Sequence, residues 1–398
     1  MTGTPRRVLD APALRRIRLH CQSSIQRVTF AELARVAELN AGRATGVAHG
    51  FGQQDCTVVG KGQVEAARWT HRQLKVRIAF RLNDFLFLPF KVMAHPSVKD
   101  VYEKYVSAYW LHEEMKEPTS VSAATAYWSA LARTFDENKH VTRLLGRARN
   151  QLANLDHKLI PVLDTFLDNF FESRIGTHLI GATFLNNGPA PSGVHKPAGV
   201  ALFHLQPTNV AECVRQLCTS LSSSRVQGTA PLHLEDLAEE PIVYIPGHIN
   251  VILREALQNA MIASQRAAAA NGVEPEPVRV KVNRGRFGVF VTISDKGGGI
   301  ADMRRVWSWG QESDALEDLV PLNTLEDWSE GGEEDSKAKA MMVPLGFGAP
   351  LARAVARYFG GDMQLQTLVG HGTNAYIHIP VAEPQQPPEQ RQQSMWMF

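Results

Sequence analysis

Two periodicities divide this chain. From about Val28 to Leu185 the apolar residues recur at helical spacing: Val98, Val101, Tyr102, Tyr105 and Tyr109 fall three and four residues apart, and Leu145, Ala148, Leu152 and Leu155 repeat the pattern further on. Such stripes predict amphipathic helices that bury one face against one another, hence a helix bundle. Within the stretch Val141 to Leu185, Pro161 predicts a kink or a restart, because its ring removes an N–H and crowds the preceding turn. NNGPAPSG at Asn186 to Gly193 is turn chemistry and predicts a domain boundary.

After that boundary the period changes to two. Val278, Val280 and Val282 alternate with polar neighbours, Gly285 marks a turn, and Val289, Val291 and Ile293 alternate again, which predicts a β-hairpin. Met363 to Thr367 and Ala375 to Ile379 predict a second strand pair around a turn at Gly370 to Gly372. Helical patterns occupy His248 to Ala270 and Leu351 to Phe359, so this half is expected to set helices on a largely antiparallel sheet. The fold class is therefore α+β: an N-terminal helical bundle followed by an α/β sandwich. Ser308 to Lys339, rich in Glu and Asp without an apolar period, predicts a lid-like loop, and the Pro- and Gln-rich stretch from Glu383 predicts a flexible tail. The expected divisions are 1–27, 28–190, 195–382 and 383–398.

Composition narrows the partners. Lys plus Arg (42) nearly balances Asp plus Glu (40), so there is no global field of the kind that draws a chain onto nucleic acid or anionic lipid. Four cysteines in 398 residues are too few for a disulfide framework, and no apolar run is long enough to span a bilayer. Residues 1–27 carry Arg6, Arg7, Arg15, Arg16, Arg18 and Arg27 against Asp10 alone, with serines and scattered leucines but no apolar signal core. That is transit-peptide chemistry and points to mitochondria, with a plain basic terminus as the competing reading.

The candidate chemistry lies in the second half. Glu255 and Asn259 sit four residues apart on one predicted helix face. An Asn carbonyl is a hard oxygen ligand that suits Mg²⁺ held jointly with phosphates, and a Glu can orient or deprotonate a hydroxyl; alone, the pair reads as a solvated helix face. It is followed by Ser294-Asp295-Lys296-Gly297-Gly298-Gly299 at a strand end, where Asp can accept from an exocyclic amine and the glycines let backbone approach a ligand. Gly346-Phe347-Gly348-Ala349-Pro350 then leads into a helix whose first N–H groups would face an anion, and Gly370-His371-Gly372-Thr373 lies between two strands.

An Asn on a helix, DxGxG after a strand, a lid, GxG before a helix and GxGT in a hairpin form an ordered set that resembles the GHKL ATPases. The resemblance narrows further. Glu255-x-x-x-Asn259-Ala260-Met261, Val76-Arg77-Ile78-Ala79, Leu88-Pro89-Phe90, and Phe166-Leu167-Asp168 with Ser173-Arg174-Ile175-Gly176 are similar to stretches of the mitochondrial alpha-ketoacid dehydrogenase kinases. Ile293 to Ile300 and Gly360-Gly361 through Gly372-Thr373 lean toward the branched-chain member over the pyruvate member.

This resemblance implies a matrix serine kinase that phosphorylates and inactivates the alpha subunit of a ketoacid dehydrogenase, docks on the lipoyl-bearing acyltransferase core and forms a homodimer. It implies ATP and Mg²⁺ as cofactors, with K⁺ as an additional candidate. Glu255 becomes the general base, Asn259 the Mg²⁺ ligand and Asp295 the reader of adenine. Gly297, Gly299, Ile300, Gly346, Phe347 and Gly348 shape the nucleotide loops, and Thr373 supports the adenine side.

Three positions depart from the family pattern: Ile262 stands where Arg is usual, the Gly346 to Pro350 motif is two residues short, and Phe184 replaces a His in the helical domain. A nucleotide-binding pseudokinase or docking scaffold is the competing reading, against which the presence of both Glu255 and Asn259 argues. A histidine kinase would need an exposed acceptor on a dimerisation helix. His157 and His178 lie on helical stretches, but neither has the acidic neighbour expected to follow it. A chaperone or repair ATPase would place the ATP domain first.

Overall fold

The computed structural model describes residues 8–22, 25–41, 56–188, 190–191, 195–197, 200–223, 230–310 and 346–381. Among the described residues, eight helices precede the boundary: α1 (Ala11–His20), α2 (Phe30–Asn40), α3 (Cys56–Leu86), α4 (Phe90–Met93), α5 (Pro96–Glu114), α6 (Val121–Glu137), α7 (Val141–Leu155) and α8 (Ile160–Asn187). Their starts follow local capping chemistry. Asp10 accepts from the Ala13 N–H, Ser120 accepts from the Ala123 N–H, and Thr29 with Glu32 forms a capping box.

The helical fold reaches back to α1, into the stretch expected to be a transit segment. Ala13 and Ile17 of α1 are fully buried, so this basic helix buries an apolar face as the other helices do. On α5 the expected stripe is the packed one, with Val98, Val101, Tyr105 and Tyr109 buried. On α7, Leu145, Ala148 and Leu152 are buried, but Leu155 is 80% exposed because it ends the helix beyond the packed face.

Pro161 restarts the chain instead of kinking it. A 3-10 turn, His157–Leu159, separates α7 from α8, and the proline falls in the first turn of α8, where no N–H is needed. From there α8 buries Phe166, Phe170 and Phe171; the rings of Phe166 and Phe170 meet Phe85 of α3 at 5.1 and 6.1 Å, and Phe170 meets Tyr105 of α5 at 5.4 Å. Each such side chain removed from water stabilises the fold by about 1.5–3 kcal/mol.

The second half holds β1 (Gln206–Thr208), α9 (Val210–Ser223), β2 (Leu232–Leu237), β3 (Ile242–Tyr244), α10 (Pro246–Asn271), β4 (Val278–Gly285), β5 (Gly288–Ser294), α11 (Met303–Val306), α12 (Gly348–Tyr358), β6 (Asp362–Leu368) and β7 (Gly372–Pro380). Five strands form one sheet in the order β2-β4-β5-β7-β6, parallel between β2 and β4 and antiparallel elsewhere. The hairpin register sets Val280 opposite Ile293 and Val282 opposite Val291, and all four are buried. Helices α10 and α12 cover this face. Strands β1 and β3 form a separate antiparallel pair.

This arrangement is the expected α+β class, a helical region joined to a mixed-sheet domain. The parallel strand β2, the small β1–β3 pair and helix α9 were not anticipated. Positions 311–339 of the expected lid lie outside the described residues, as do residues 1–7, 340–345 and 382, and the tail from 383 on. No helix among the described residues is long and apolar enough to cross a membrane.

The two halves meet along α8. Gly176 lies against the Tyr358 hydroxyl of α12, where a Cβ would collide with it. The Val28 N–H donates to the same hydroxyl at 3.2 Å, and Arg27 pairs with Glu172 of α8 at 2.7 Å while donating to the Arg357 carbonyl.

Candidate active site

Helix α10 carries the first pair. Ile249, Ile252, Leu253, Ala256, Leu257, Ala260 and Met261 are buried on its packed face, which leaves positions 255 and 259 at the open side of the domain. The helix stops at Gly272, whose positive φ of 63° lets its N–H turn back onto Ala268 and Ala269. The Asn259 Nδ2 donates to Glu255 Oε1 at 3.2 Å. That use of the amide leaves the Asn259 carbonyl oxygen for another partner.

Gly348, at the start of α12, is packed directly on the Glu255 carboxyl, and any side chain there would collide with all three of its atoms. Burial under this cover pushes the Glu255 pKa up to about 7, opposed by the hydrogen bond from Asn259. A carboxyl held near neutrality can take a proton from a hydroxyl and release it again.

The second cluster lies at the end of β5. Asp295 Oδ1 accepts from the Gly297 N–H at 2.8 Å and from the Thr373 N–H at 3.1 Å, and the Asp295 N–H donates to the Thr373 carbonyl at 2.9 Å. Burial raises the Asp295 pKa, and the two backbone donors oppose the rise. Both bonds use the same oxygen.

The glycine loop is sewn to its neighbours on two sides. Gly297 lies against Ala263 of α10, one turn after Asn259, where a Cβ would collide. Gly299 has φ of 78° and approaches the Leu368 carbonyl closely, so both its conformation and its contacts exclude a side chain. The Ile300 N–H donates to Thr367 Oγ1 at 2.7 Å, and that hydroxyl lies 3.2 Å from Thr373 Oγ1. The Gly370 N–H reaches the Gly298 carbonyl at 2.8 Å.

The residues singled out from the sequence fall into two clusters: Glu255, beside Asn259, lies under Gly348, which Gly346 and Phe347 precede, while Asp295 meets Gly297 and Thr373, and Gly299 and Ile300 meet Leu368 and Thr367. Residues that sequence reasoning missed are Thr367, Ala263, and the partners of Phe347 described below. Ala263, a small residue four positions after Asn259, was the one legible signal.

The departures also have places. Phe184 is buried in the helical core with its ring 5.8 Å from Tyr127, so that position serves packing. His178 is buried between Phe135 and Phe203, and burial lowers its pKa to about 3, so it offers no exposed acceptor. His157 is exposed but lies in a three-residue turn, not on a long helix.

Residues 50–186 match the family described as mitochondrial branched-chain alpha-ketoacid dehydrogenase kinase, and residues 245–383 match the histidine kinase-, DNA gyrase B- and HSP90-like ATPase family. Among similar proteins, the mitochondrial [pyruvate dehydrogenase (acetyl-transferring)] kinase of Arabidopsis thaliana is 27% identical over 323 residues, 79% of this chain and 84% of its own. The mitochondrial isozyme 4 of the same-named kinase from Homo sapiens is 26% identical over 333 residues, 77% of this chain and 74% of its own. The Rattus norvegicus isozyme 1 is 25% identical over 321 residues, with 77% and 71% covered. The helical region thus resembles the ketoacid dehydrogenase kinases, the second half matches a GHKL-type ATP-binding domain, and the similar proteins that span both are mitochondrial protein kinases.

Proposed function

We propose that this protein transfers the terminal phosphoryl group of ATP to a serine hydroxyl on the alpha subunit of a ketoacid dehydrogenase complex in the mitochondrial matrix, switching that enzyme off. The observation that carries this reading is the Glu255 carboxyl, held near neutrality beside Asn259 and under Gly348. In this role Glu255 accepts the proton of the attacking hydroxyl. Positioning and charge neutralisation supply most of the remaining rate, as phosphoryl transfer demands.

The residues present fit the expected cofactors. Asn259, exposed and with its amide already used, offers one hard oxygen to Mg²⁺. No group of three or more His, Cys, Asp or Glu side chains gathers among the described residues in a metal-binding cluster, so Asn259 suits an ion shared with substrate phosphates. Bound Mg²⁺ neutralises charge on the transferring group. The second oxygen of Asp295 is the atom we assign to the adenine amine, with Thr373 alongside. Gly297, Gly299, Ile300, Gly346, Phe347 and Gly348 shape the backbone around the nucleotide. A homodimer, docking on a lipoyl-bearing core and a K⁺ ion belong to the same reading.

Two substrates have separate support. The peptides Ile293 to Ile300 and Gly360 to Thr373, with the description of the family matched by the helical region, favour the branched-chain complex. The names of the similar proteins favour pyruvate dehydrogenase. The branched-chain complex is the first choice here. Incubation of the protein with radiolabelled ATP and each purified complex side by side tests both, with Glu255→Gln as the blank. Label on one alpha subunit that disappears in the blank supports the kinase and selects its substrate. No label on either complex, with nucleotide still bound, turns the reading to a docking pseudokinase.

A further inference from the structure

The cover over Glu255 is itself held from the helical domain. Phe347 immediately precedes Gly348 and is fully buried. Its ring meets the edge of Trp309 at 4.9 Å and of Phe171 on α8 at 5.7 Å. Trp309, only 1% exposed, stacks on Phe171 at 4.8 Å with an interplanar angle of 22°. Its indole Nε1 donates to Asp168 Oδ1 on α8 at 2.7 Å.

The backbone beside these rings is tied in the same direction. The Gly310 N–H donates to the Gly346 carbonyl at 3.0 Å. Gly310 has φ of 69° and lies so close to Arg149 and Asn150 of α7 that a Cβ would collide with both. Arg149 reaches the Gly310 carbonyl at 3.4 Å and pairs with Asp164 of α8 at 3.2 Å. The three rings can slide against one another, since stacked and edge contacts have broad geometry. A charged acceptor on a fixed indole is directional and removes that freedom.

We propose that Asp168 is a positioning residue for phosphoryl transfer: by fixing Trp309 it seats Phe347 and so sets where Gly348 lies over the Glu255 carboxyl. The helical domain thereby helps to assemble the reacting end of the site in the other domain. This rests on the assignment of Glu255 as general base. Asp168 touches neither nucleotide nor substrate in this account, and it acts through Trp309 and Phe347.

The test compares Asp168→Leu, Asp168→Asn and Trp309→Phe in the full-length protein, measuring kcat and KM for ATP on the dehydrogenase complex that the wild type labels. An ångström of misplacement at a reacting group can cost about 100-fold in rate. Asp168→Leu is therefore expected to lower kcat by about 10- to 100-fold with KM for ATP within about threefold. Asp168→Asn keeps an acceptor for the indole and restores kcat to within about threefold of the wild type. Trp309→Phe keeps an aromatic ring against Phe171 while losing the donor and part of the ring, so it reproduces the Asp168→Leu defect, and the double variant is no worse than the worse single one.

In a Glu255→Gln background, Asp168→Leu removes nothing further from the residual rate. Thermal unfolding reports whether each variant is folded, and if Asp168→Leu is not, the remaining two variants carry the test. A folded Asp168→Leu or Trp309→Phe protein with unchanged kcat, or with its loss confined to KM, overturns the proposal. A Glu255→Gln protein with full activity overturns the assignment of the base instead.

Discussion

The two ends of the candidate site are built differently. The Asp295 end closes on itself: its bonds to Gly297 and Thr373, and the bond from Ile300 to Thr367, join β5, the glycine loop and the β6–β7 hairpin without any residue of the helical domain. The Glu255 end has one internal hydrogen bond, from Asn259, and takes the rest of its shape from Gly348, Phe347, Trp309 and α8. A nucleotide-reading surface can thus be carried by one domain as a rigid unit, while the reacting end depends on how two domains fit. Substitutions at the first end should change affinity, and those at the second should change rate.

The largest effect tests the second end. Glu255→Gln is expected to lower phosphoryl transfer by about 10²- to 10⁴-fold, the usual contribution of a general base, with ADP affinity in titration calorimetry within about threefold. If affinity fell in parallel with rate, the two ends would not be separable.

Gly348→Ala follows, because a methyl group at that position collides with the Glu255 carboxyl and must displace it or the start of α12. A loss of about 100-fold in kcat is expected with smaller change in ADP binding, read by the same two assays.

At the first end, Asp295→Ala leaves the Gly297 and Thr373 N–H groups without their shared charged acceptor. Hydrogen bonds to charged groups contribute about 1.5–3 kcal/mol each, so ADP affinity should fall by about 10- to 100-fold or more. The smallest effect belongs to Thr367→Val, which removes the acceptor of the Ile300 N–H at nearly constant shape. Its cost is about 1 kcal/mol, or about fivefold in ADP affinity, with kcat nearly unchanged.

The same contrast explains what could be read before the structure. The Asp295 end was legible because its parts are local: a strand ending in Asp, glycines whose positive φ no other residue adopts readily, and a turn before Thr373. Glu255 and Asn259 were legible as a pair because helical spacing alone puts them together. The fold was legible where period dominates, as in the valines of β4 and β5. Strand β2 was not, since its neighbour β4 lies far along the chain and no local pattern reports a parallel partner. Nor was the Asp168–Trp309 bond, between residues separated by 141 positions. Helix α1, within the basic stretch expected as a transit segment, was not anticipated as a helix, because only two of its residues, Ala13 and Ile17, are buried.

The central claim is that Glu255, half-buried under Gly348, acts as a base with its pKa raised to about 7. Only the ionised carboxyl accepts a proton, so a raised pKa moves the loss of activity to higher pH than an ordinary Glu would show. Single-turnover transfer from saturating ATP, measured between pH 5 and 9 with ADP binding followed at each pH, tests this directly. The account predicts that the rate falls as pH drops through about 7 while ADP still binds. A rate that stays level down to pH 5, as a Glu with the ordinary pKa near 4.5 would largely allow, or that falls only because ADP no longer binds, would contradict it.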